Sequence, residues 1–190
     1  MNSPHLALLT IDMQNDVLRH IVPTGKAIVP AMRRALQACR ASQIPVIHCL
    51  RLHRADGVDV EKFRVERFRN EPFLVRDTEG AQVIPELEVR SDEYLVGKAR
   101  FSAFFQSDLQ MILTRLGVSS LVICGVQTPN CVRCTVTDAI AYDYDVILLE
   151  DAIAAATPEV HKANLYDMEH MGAKIISVDS LVAILKGRDS

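Results

Sequence analysis

The sequence predicts a three-layer α/β/α, Rossmann-like domain spanning residues 1-190, built on a six-stranded, mainly parallel sheet. Three observations predict it. Short continuous apolar runs such as Leu6 to Ile11 end abruptly at polar residues, as expected of strands covered on both faces. These runs alternate with segments whose apolar residues recur at the helical period, the order that parallel strands and crossover helices require. With 190 residues and 49% hydrophobic content, the chain can bury a sizeable core but has no room for a second domain.

The elements follow in order. Leu6 to Ile11 is the first strand and delivers Asp12 at its end. Residues 26–42 carry Val29, Met32, Leu36 and Cys39 at helical spacing, and Pro45 to Leu50 is the second strand. From Arg51 the pattern breaks into mixed charges and isolated aromatics, a lid-like excursion at about 51-90. So long a loop inside a compact domain is either a binding segment or an irregular structural cover. Glu93 to Gly97 resumes a strand and presents Lys98. Ser107 is placed to cap a helix bearing Leu109, Ile112, Leu113 and Leu116, which Gly117 stops. Leu121 to Cys124 is a buried strand, Thr128 or Asn130 is placed to cap the next helix with Pro129 in its first turn, and that helix runs to about Tyr142. Asp145 to Leu149 makes another strand, and Thr157-Pro158 opens a helix ending near Met171-Gly172. Ala173 to Val178 is the last strand, with Asp179 or Ser180 capping a terminal helix that reaches about Lys186.

Composition narrows the function. Twenty-one basic against 24 acidic side chains give a formal charge of −3, which offers no electrostatic footprint for nucleic acid or an anionic membrane. The opening Met1-Asn-Ser-Pro-His lacks a basic region followed by an apolar stretch, and no later apolar run approaches a membrane span, so a cytoplasmic protein is expected. Five cysteines are odd in number and mostly fall inside predicted elements, which argues for reduced thiols over a disulfide framework.

Three polar residues stand at or just beyond strand ends: Asp12, Lys98 and Cys131. In a doubly wound sheet all three share the carboxyl edge, where ligands bind at the reversal of strand order. Each also has an ordinary structural reading, Asp12 as a helix cap, Lys98 as a solvated charge and Cys131 as a small core residue. At the start of a helix Cys131 would meet unpaired N–H groups and the positive end of the dipole, which favour thiolate.

Four stretches carry a resemblance: Leu9-Thr-Ile-Asp-Met-Gln-Asn-Asp16, Lys98-Ala-Arg-Phe-Ser-Ala-Phe104, Gly125-Val-Gln-Thr-Pro-Asn-Cys-Val132 and Asp138-Ala-Ile-Ala-Tyr-Asp143. Over nearly its whole length the chain resembles the isochorismatase-like cysteine hydrolases, a family that includes nicotinamidase, N-carbamoylsarcosine amidohydrolase, and biuret, maleamate and ureidoacrylate amidohydrolases. The resemblance implies a catalytic triad of Asp12, Lys98 and Cys131, a cis peptide at Val126-Gln127, and an oxyanion hole from the backbone N–H groups of Gln127 and Cys131. It implies hydrolysis of an amide-type C–N bond through a thioester, a small amide, carbamoyl or ureide substrate, no cofactor, and a homodimer or homotetramer.

One departure concerns metal. Nicotinamidases hold a divalent ion with an Asp-x-His element, whereas the matching positions here read Arg51-Leu52-His53, which places a cation where the anionic ligand belongs. No metal is therefore expected, and His53 reads as a surface or loop residue. Cys131-Val-Arg-Cys134 leaves open a thiol–disulfide redox protein, and loss of activity with retention of fold would leave a silent binding or assembly module. Phe101, Phe104 and Phe105 either wall a substrate pocket or pack on the sheet. Arg64, Arg67 and Arg69 either reach a substrate carboxylate or belong to a solvated lid.

Overall fold

The computed structural model describes residues 5–187; Met1 to Pro4, the start of the stretch read above as lacking a leader, lie outside the described residues. Six strands form one sheet: β1 (Leu6–Ile11), β2 (Val46–Arg51), β3 (Tyr94–Lys98), β4 (Ser120–Val126), β5 (Asp145–Ala154) and β6 (Lys174–Ile176). Their order is β3-β2-β1-β4-β5-β6, and every pairing is parallel. The chain winds outward from β1 through β2 and β3, then crosses back to β4 and winds outward the other way. The reversal therefore lies between β1 and β4.

Parallel strands need covered faces, and the period of two sorts their side chains into two cores. Leu6 and Leu8 of β1, with Val122, Cys124 and Val126 of β4, face one core, which α1 (Val29–Ala41) and the last helix close with Met32, Leu36, Leu181 and Leu185. Ala7, Leu9 and Ile11 face the other with Leu121 and Ile123. That second core is closed by Leu109 and Leu113 of α3 (Leu109–Arg115), Val136 and Ala139 of α4 (Arg133–Ala141), and Met168 of α5 (Pro158–His170). Each such fully buried side chain contributes roughly 1.5–3 kcal/mol, so the layers hold chiefly by apolar burial. Strand contact between β1 and β4 is close enough that a Cβ on Gly125 would lie 2.3 Å from the Ile11 carbonyl oxygen, and Gly125 adopts a φ of +118°.

Several boundaries differ from the sequence reading. β5 continues to Ala154, since its final residues stay buried and pair with Gly125 and Val126 after a register shift. β6 is only three residues long, because Ser177 ends it and its side chain accepts from the Ser180 N–H to cap α6 (Val178–Lys186); neither Asp179 nor Ser180 takes that position. Thr157 caps α5 as expected, and Ser107 accepts from the Leu109 N–H at 3.2 Å, one position ahead of the cap residue Asp108. Neither Thr128 nor Asn130 caps the helix after β4, where a π-turn at Thr128–Val132 precedes α4. The excursion is not a plain loop. It holds the short helix α2 (Val65–Asn70), and Val60, Phe68, Phe73, Leu74, Ile84 and Leu87 are buried in the first core.

A polar link crosses the sheet below the carboxyl edge. His48 lies 2.8 Å from Thr10 Oγ1 through Nδ1 and 3.0 Å from Glu93 through Nε2, and Arg40 of α1 grips the same carboxylate with two donors at 2.7 and 3.0 Å. Burial pushes the Glu93 carboxyl up, but the Arg40 guanidinium, the Arg90 N–H and His48 outweigh it and bring the pKa from 4.5 to about 2. A carboxylate depressed on folding stabilises the protein above its unfolded pKa and loses that contribution as pH falls toward the folded value. Glu93→Gln is expected to lower stability at pH 7 by on the order of 2 kcal/mol and to flatten the fall in stability between pH 4.5 and about 2. Urea unfolding across that range checks it.

Candidate active site

The reversal between β1 and β4 opens at the carboxyl edge, and the residues singled out in the sequence meet there. Ile11 pairs with Gly125, so the chain leaving β1 at Asp12 and the chain leaving β4 at Gln127 diverge from adjacent positions. Asp12 takes a φ of +52°, turning its carboxylate in over the sheet edge. The Val126–Gln127 peptide is cis. Cys131 follows in the π-turn, and β3 brings Lys98 from the far side of β2, where its register partner is Arg51.

Lys98 is fully buried and its Nζ lies 2.9 Å from both oxygens of Asp12, with a further bond to the Arg100 carbonyl at 3.2 Å. Burial opposes the ammonium charge, but Asp12 and Cys131 outweigh it, and the Lys98 pKa ends above its ordinary value. Asp12 Oδ1 is in ion-pair contact with Nζ but makes no hydrogen bond, so a lone pair is open beside the thiol. The helix-start argument for a low thiol pKa does not hold in this arrangement. Burial, with Asp12 next, pushes Cys131 up to about 11, against the pull of Lys98 and Arg51. Burial and Asp12 thus favour the thiol over the thiolate. Cys39 and Cys49, buried and pushed up to about 12, lie outside the cleft and read as core.

A second cation sits beside the first. Arg51 is buried, ion-pairs with Glu61 of the excursion, and donates from Nη1 toward Cys131 Sγ at 3.5 Å. His53, expected at the surface, is buried instead. Its ring sits edge-on to Phe68 and Phe73 at centroid distances of 5.9 and 5.7 Å, and neither nitrogen has a hydrogen-bond partner. Burial and the Arg51 charge hold its pKa near 4, so it is a neutral spacer at physiological pH. A divalent metal does not fit these residues: a guanidinium already paired to Glu61 occupies the ligand position, and among the described residues no three His, Cys, Asp or Glu converge.

The cleft over Cys131 is lined by Asp12, Gln127 and Asn130, by Arg51, Arg64 and Phe101, and by apolar side chains of the segment after β1. Its volume is about 30 Å³, room for one or two waters. A substrate can enter only when part of the wall moves. Of the aromatic candidates, Phe101 belongs to this wall and lies under Arg51 and Arg64 at 4.9 and 5.4 Å. Phe104 does not; it packs on Tyr142 and Tyr144 in the second core, and Phe105 is exposed. Arg64 lines the cleft, whereas Arg67 is exposed with its guanidinium over Phe73, and Arg69 is exposed. Cys134 is half-buried in the wall of a separate groove with Phe105 and Arg133, so the two thiols of the C-x-x-C open onto different cavities.

Two positioning residues, Gln14 and Thr135, gave no signal in the sequence beyond Gln14's place in the first motif. Gln14 uses both ends of its amide: Nε2 donates to the carbonyls of Arg51 (2.9 Å) and Ala81 (2.7 Å), and Oε1 accepts from the Arg51 N–H (2.8 Å). Asn15 and Asp16 extend the grip to the Glu79 carbonyl and the Leu74 N–H. A Cβ on Gly80 would lie 2.2 Å from the Asp16 carboxylate, so the cover presses directly on this motif. Thr135 donates to the Cys131 carbonyl at 2.7 Å and accepts from the Ala103 N–H at 3.0 Å, which joins the Cys131 turn to the segment after Lys98.

Known proteins share this arrangement of strands. A family model described as "Isochorismatase domain" matches residues 6–180. A relative from Arabidopsis thaliana, described as a "probable inactive nicotinamidase", is 46% identical over 176 residues, covering 88% of this chain and 90% of its own length. Nicotinamidase 3 of the same plant is 28% identical over 188 residues, covering 98% and 91%. Among solved structures, an isochorismatase family protein from Desulfovibrio vulgaris subsp. vulgaris str. Hildenborough has a TM-score of 0.92 at 39% identity, covering 97% of this chain and all of that one.

The Asp12–Lys98 pair makes a stability prediction that is independent of activity. Removing one partner leaves the other charge buried and unanswered, so Lys98→Met is expected to cost about 3–5 kcal/mol. Adding Asp12→Leu to Lys98→Met should recover most of that loss, as chemical denaturation of the two variants will show.

Proposed function

The chain belongs to the isochorismatase family, and from that membership we propose that it hydrolyses an amide-type C–N bond of a small molecule with Cys131 as nucleophile. One observation carries the reading: Asp12, held at 2.9 Å by fully buried Lys98, keeps a free acceptor oxygen in the same cleft as an otherwise protonated Cys131. A base, a nucleophile and a fixed cation in one water-poor cleft are the parts that acyl transfer needs.

The steps follow from these groups. Asp12 takes the Cys131 proton as the sulfur attacks the carbonyl carbon, giving a tetrahedral intermediate. The backbone N–H groups of Gln127 and Cys131 are the donors assigned to its oxyanion, each worth about 3 kcal/mol where such donors have been removed. Lys98 pairs with the Asp12 carboxylate and offsets the charge that develops beside it. As the C–N bond breaks, Asp12 returns the proton to the departing nitrogen, leaving a thioester on Cys131 and free ammonia or amine. Asp12 then deprotonates a water that attacks the thioester, releasing the acid and restoring the thiol. Small amides, carbamoyl compounds and ureides are the substrate classes, and the cytoplasm is the compartment the reduced thiols suit.

The plant relative described as inactive favours a second reading, a silent binding module of the same fold. The complete Asp12, Lys98 and Cys131 set supports the hydrolase over it. The redox reading loses its support because Cys131 and Cys134 line separate cavities.

An ammonia-release screen over primary amides, N-carbamoyl compounds and ureides decides between them. Wild type is expected to turn over at least one class and to show a thioester adduct by intact mass. Asp12→Asn should slow that turnover about 10²–10⁴-fold, and Cys131→Ala should abolish it. Appreciable turnover by Cys131→Ala would sink the assignment, and silence of wild type across all three classes, without adduct, would favour the binding module.

A further inference from the structure

The charges around the cleft do not cancel. Asp12 is answered by Lys98, and Arg51 by Glu61. Arg64 is not answered: among the described residues its guanidinium makes no ion pair and no hydrogen bond, and its neighbours are the ring faces of Phe63 and Phe101 at 5.0 and 5.4 Å. A guanidinium carries five N–H donors and no acceptor. Here it is half-buried, flanked by rings, and turned into a cleft that also contains the nucleophile.

We propose that Arg64, backed by Arg51, receives a carboxylate of the substrate, so that this chain acts on amide-type compounds bearing a negative charge a few bonds from the scissile carbonyl. The proposal rests on the hydrolase reading above and names the substrate class for it. Three observations carry it. The same 3-10 turn, Lys62–Arg64, is preceded by Glu61 and held by the Arg64 N–H to the Glu61 carbonyl at 2.7 Å, so one short segment supplies both the acid that satisfies Arg51 and the cation left over. Arg51 and Arg64 contact one ring, Phe101, which fixes both guanidinia at the same wall. Burial, and next the Arg51 charge, weigh against the Arg64 cation and push its pKa below the ordinary value, a penalty that an anion relieves and a neutral heterocycle does not. A carboxylate meets a guanidinium through two parallel N–H···O bonds, which fixes orientation as well as charge. A neutral amide of the same size would leave those donors desolvated and unpaired.

Iodoacetate and iodoacetamide provide a matched anionic and neutral pair that alkylate the same sulfur and require no knowledge of the substrate. Their rate constants at Cys131 are read by peptide mass mapping, so that reaction at half-buried Cys134 is counted separately. Because both reagents need the same opening of the cleft, their ratio isolates the charge preference. Arg64→Gln is expected to lower the iodoacetate-to-iodoacetamide ratio about tenfold, and Arg64→Lys, which keeps the charge but loses the fork, to give an intermediate value. A ratio unchanged in Arg64→Gln overturns the proposal. In wild type alone, succinate is expected to protect Cys131 from iodoacetamide at concentrations where succinamide does not, and equal protection by the two overturns it as well. The ammonia screen with Cys131→Ala reports the hydrolase reading separately. A charge preference without turnover leaves the anion site standing and removes the hydrolase, whereas turnover without a charge preference does the reverse.

Discussion

Everything at the carboxyl edge depends on how two buried cations are neutralised. Arg51 and Lys98 are register partners at the ends of adjacent parallel strands, both buried, so the sheet itself sets two positive charges side by side. Burying either without a partner costs several kcal/mol. β1 supplies one answer through Asp12, whose left-handed backbone turns the carboxylate toward Lys98. No strand supplies the other. Glu61 must come from the excursion, and in reaching Arg51 it draws that segment over the cleft. The closed cover is thus an electrostatic consequence of the strand register.

The motif after β1 then does two jobs with five residues. Asp12 pairs with Lys98, while Gln14, Asn15 and Asp16 spend their side chains on backbone groups at the end of β2 and in the cover. Gln14 matters most, because it fixes the end of β2 and Ala81 of the cover to the strand that carries Asp12. The close packing of Ile11 on Gly125 completes the arrangement by bringing Asp12 and the Cys131 turn to neighbouring positions.

Much of this was legible in the sequence because it is local. Apolar runs and helical periods report burial of a strand or a helix face, and they placed all six strands and the residues at their ends. What escaped is set by contacts between distant segments. Val65 to Asn70 is too short to show a period, so nothing distinguished Arg64, which turns into the cleft, from Arg67 and Arg69, which do not. Phe104 closes the motif that begins at Lys98 but follows the second core, drawn by Tyr142 and Tyr144. His53 looked like a loop residue because the aromatic cage around it is assembled from residues 68 and 73. The Cys131 thiol was misjudged for a related reason: a helix start favours thiolate, but burial, and next the Asp12 charge, disfavour it by more, and both come from segments distant in the chain.

Thr135 divides the site mechanically. Its hydroxyl joins the Cys131 carbonyl to the Ala103 N–H, so the Cys131 turn and the segment that follows Lys98 are bolted together on the second-core side of the sheet. The cover is held from the other side, by Gln14, Asn15 and Asp16. The cleft therefore has two walls held by separate sets of bonds. A change in the cover's bonds leaves the Cys131 turn and the Lys98 segment joined, since the Thr135 hydroxyl that joins them touches no residue of the cover.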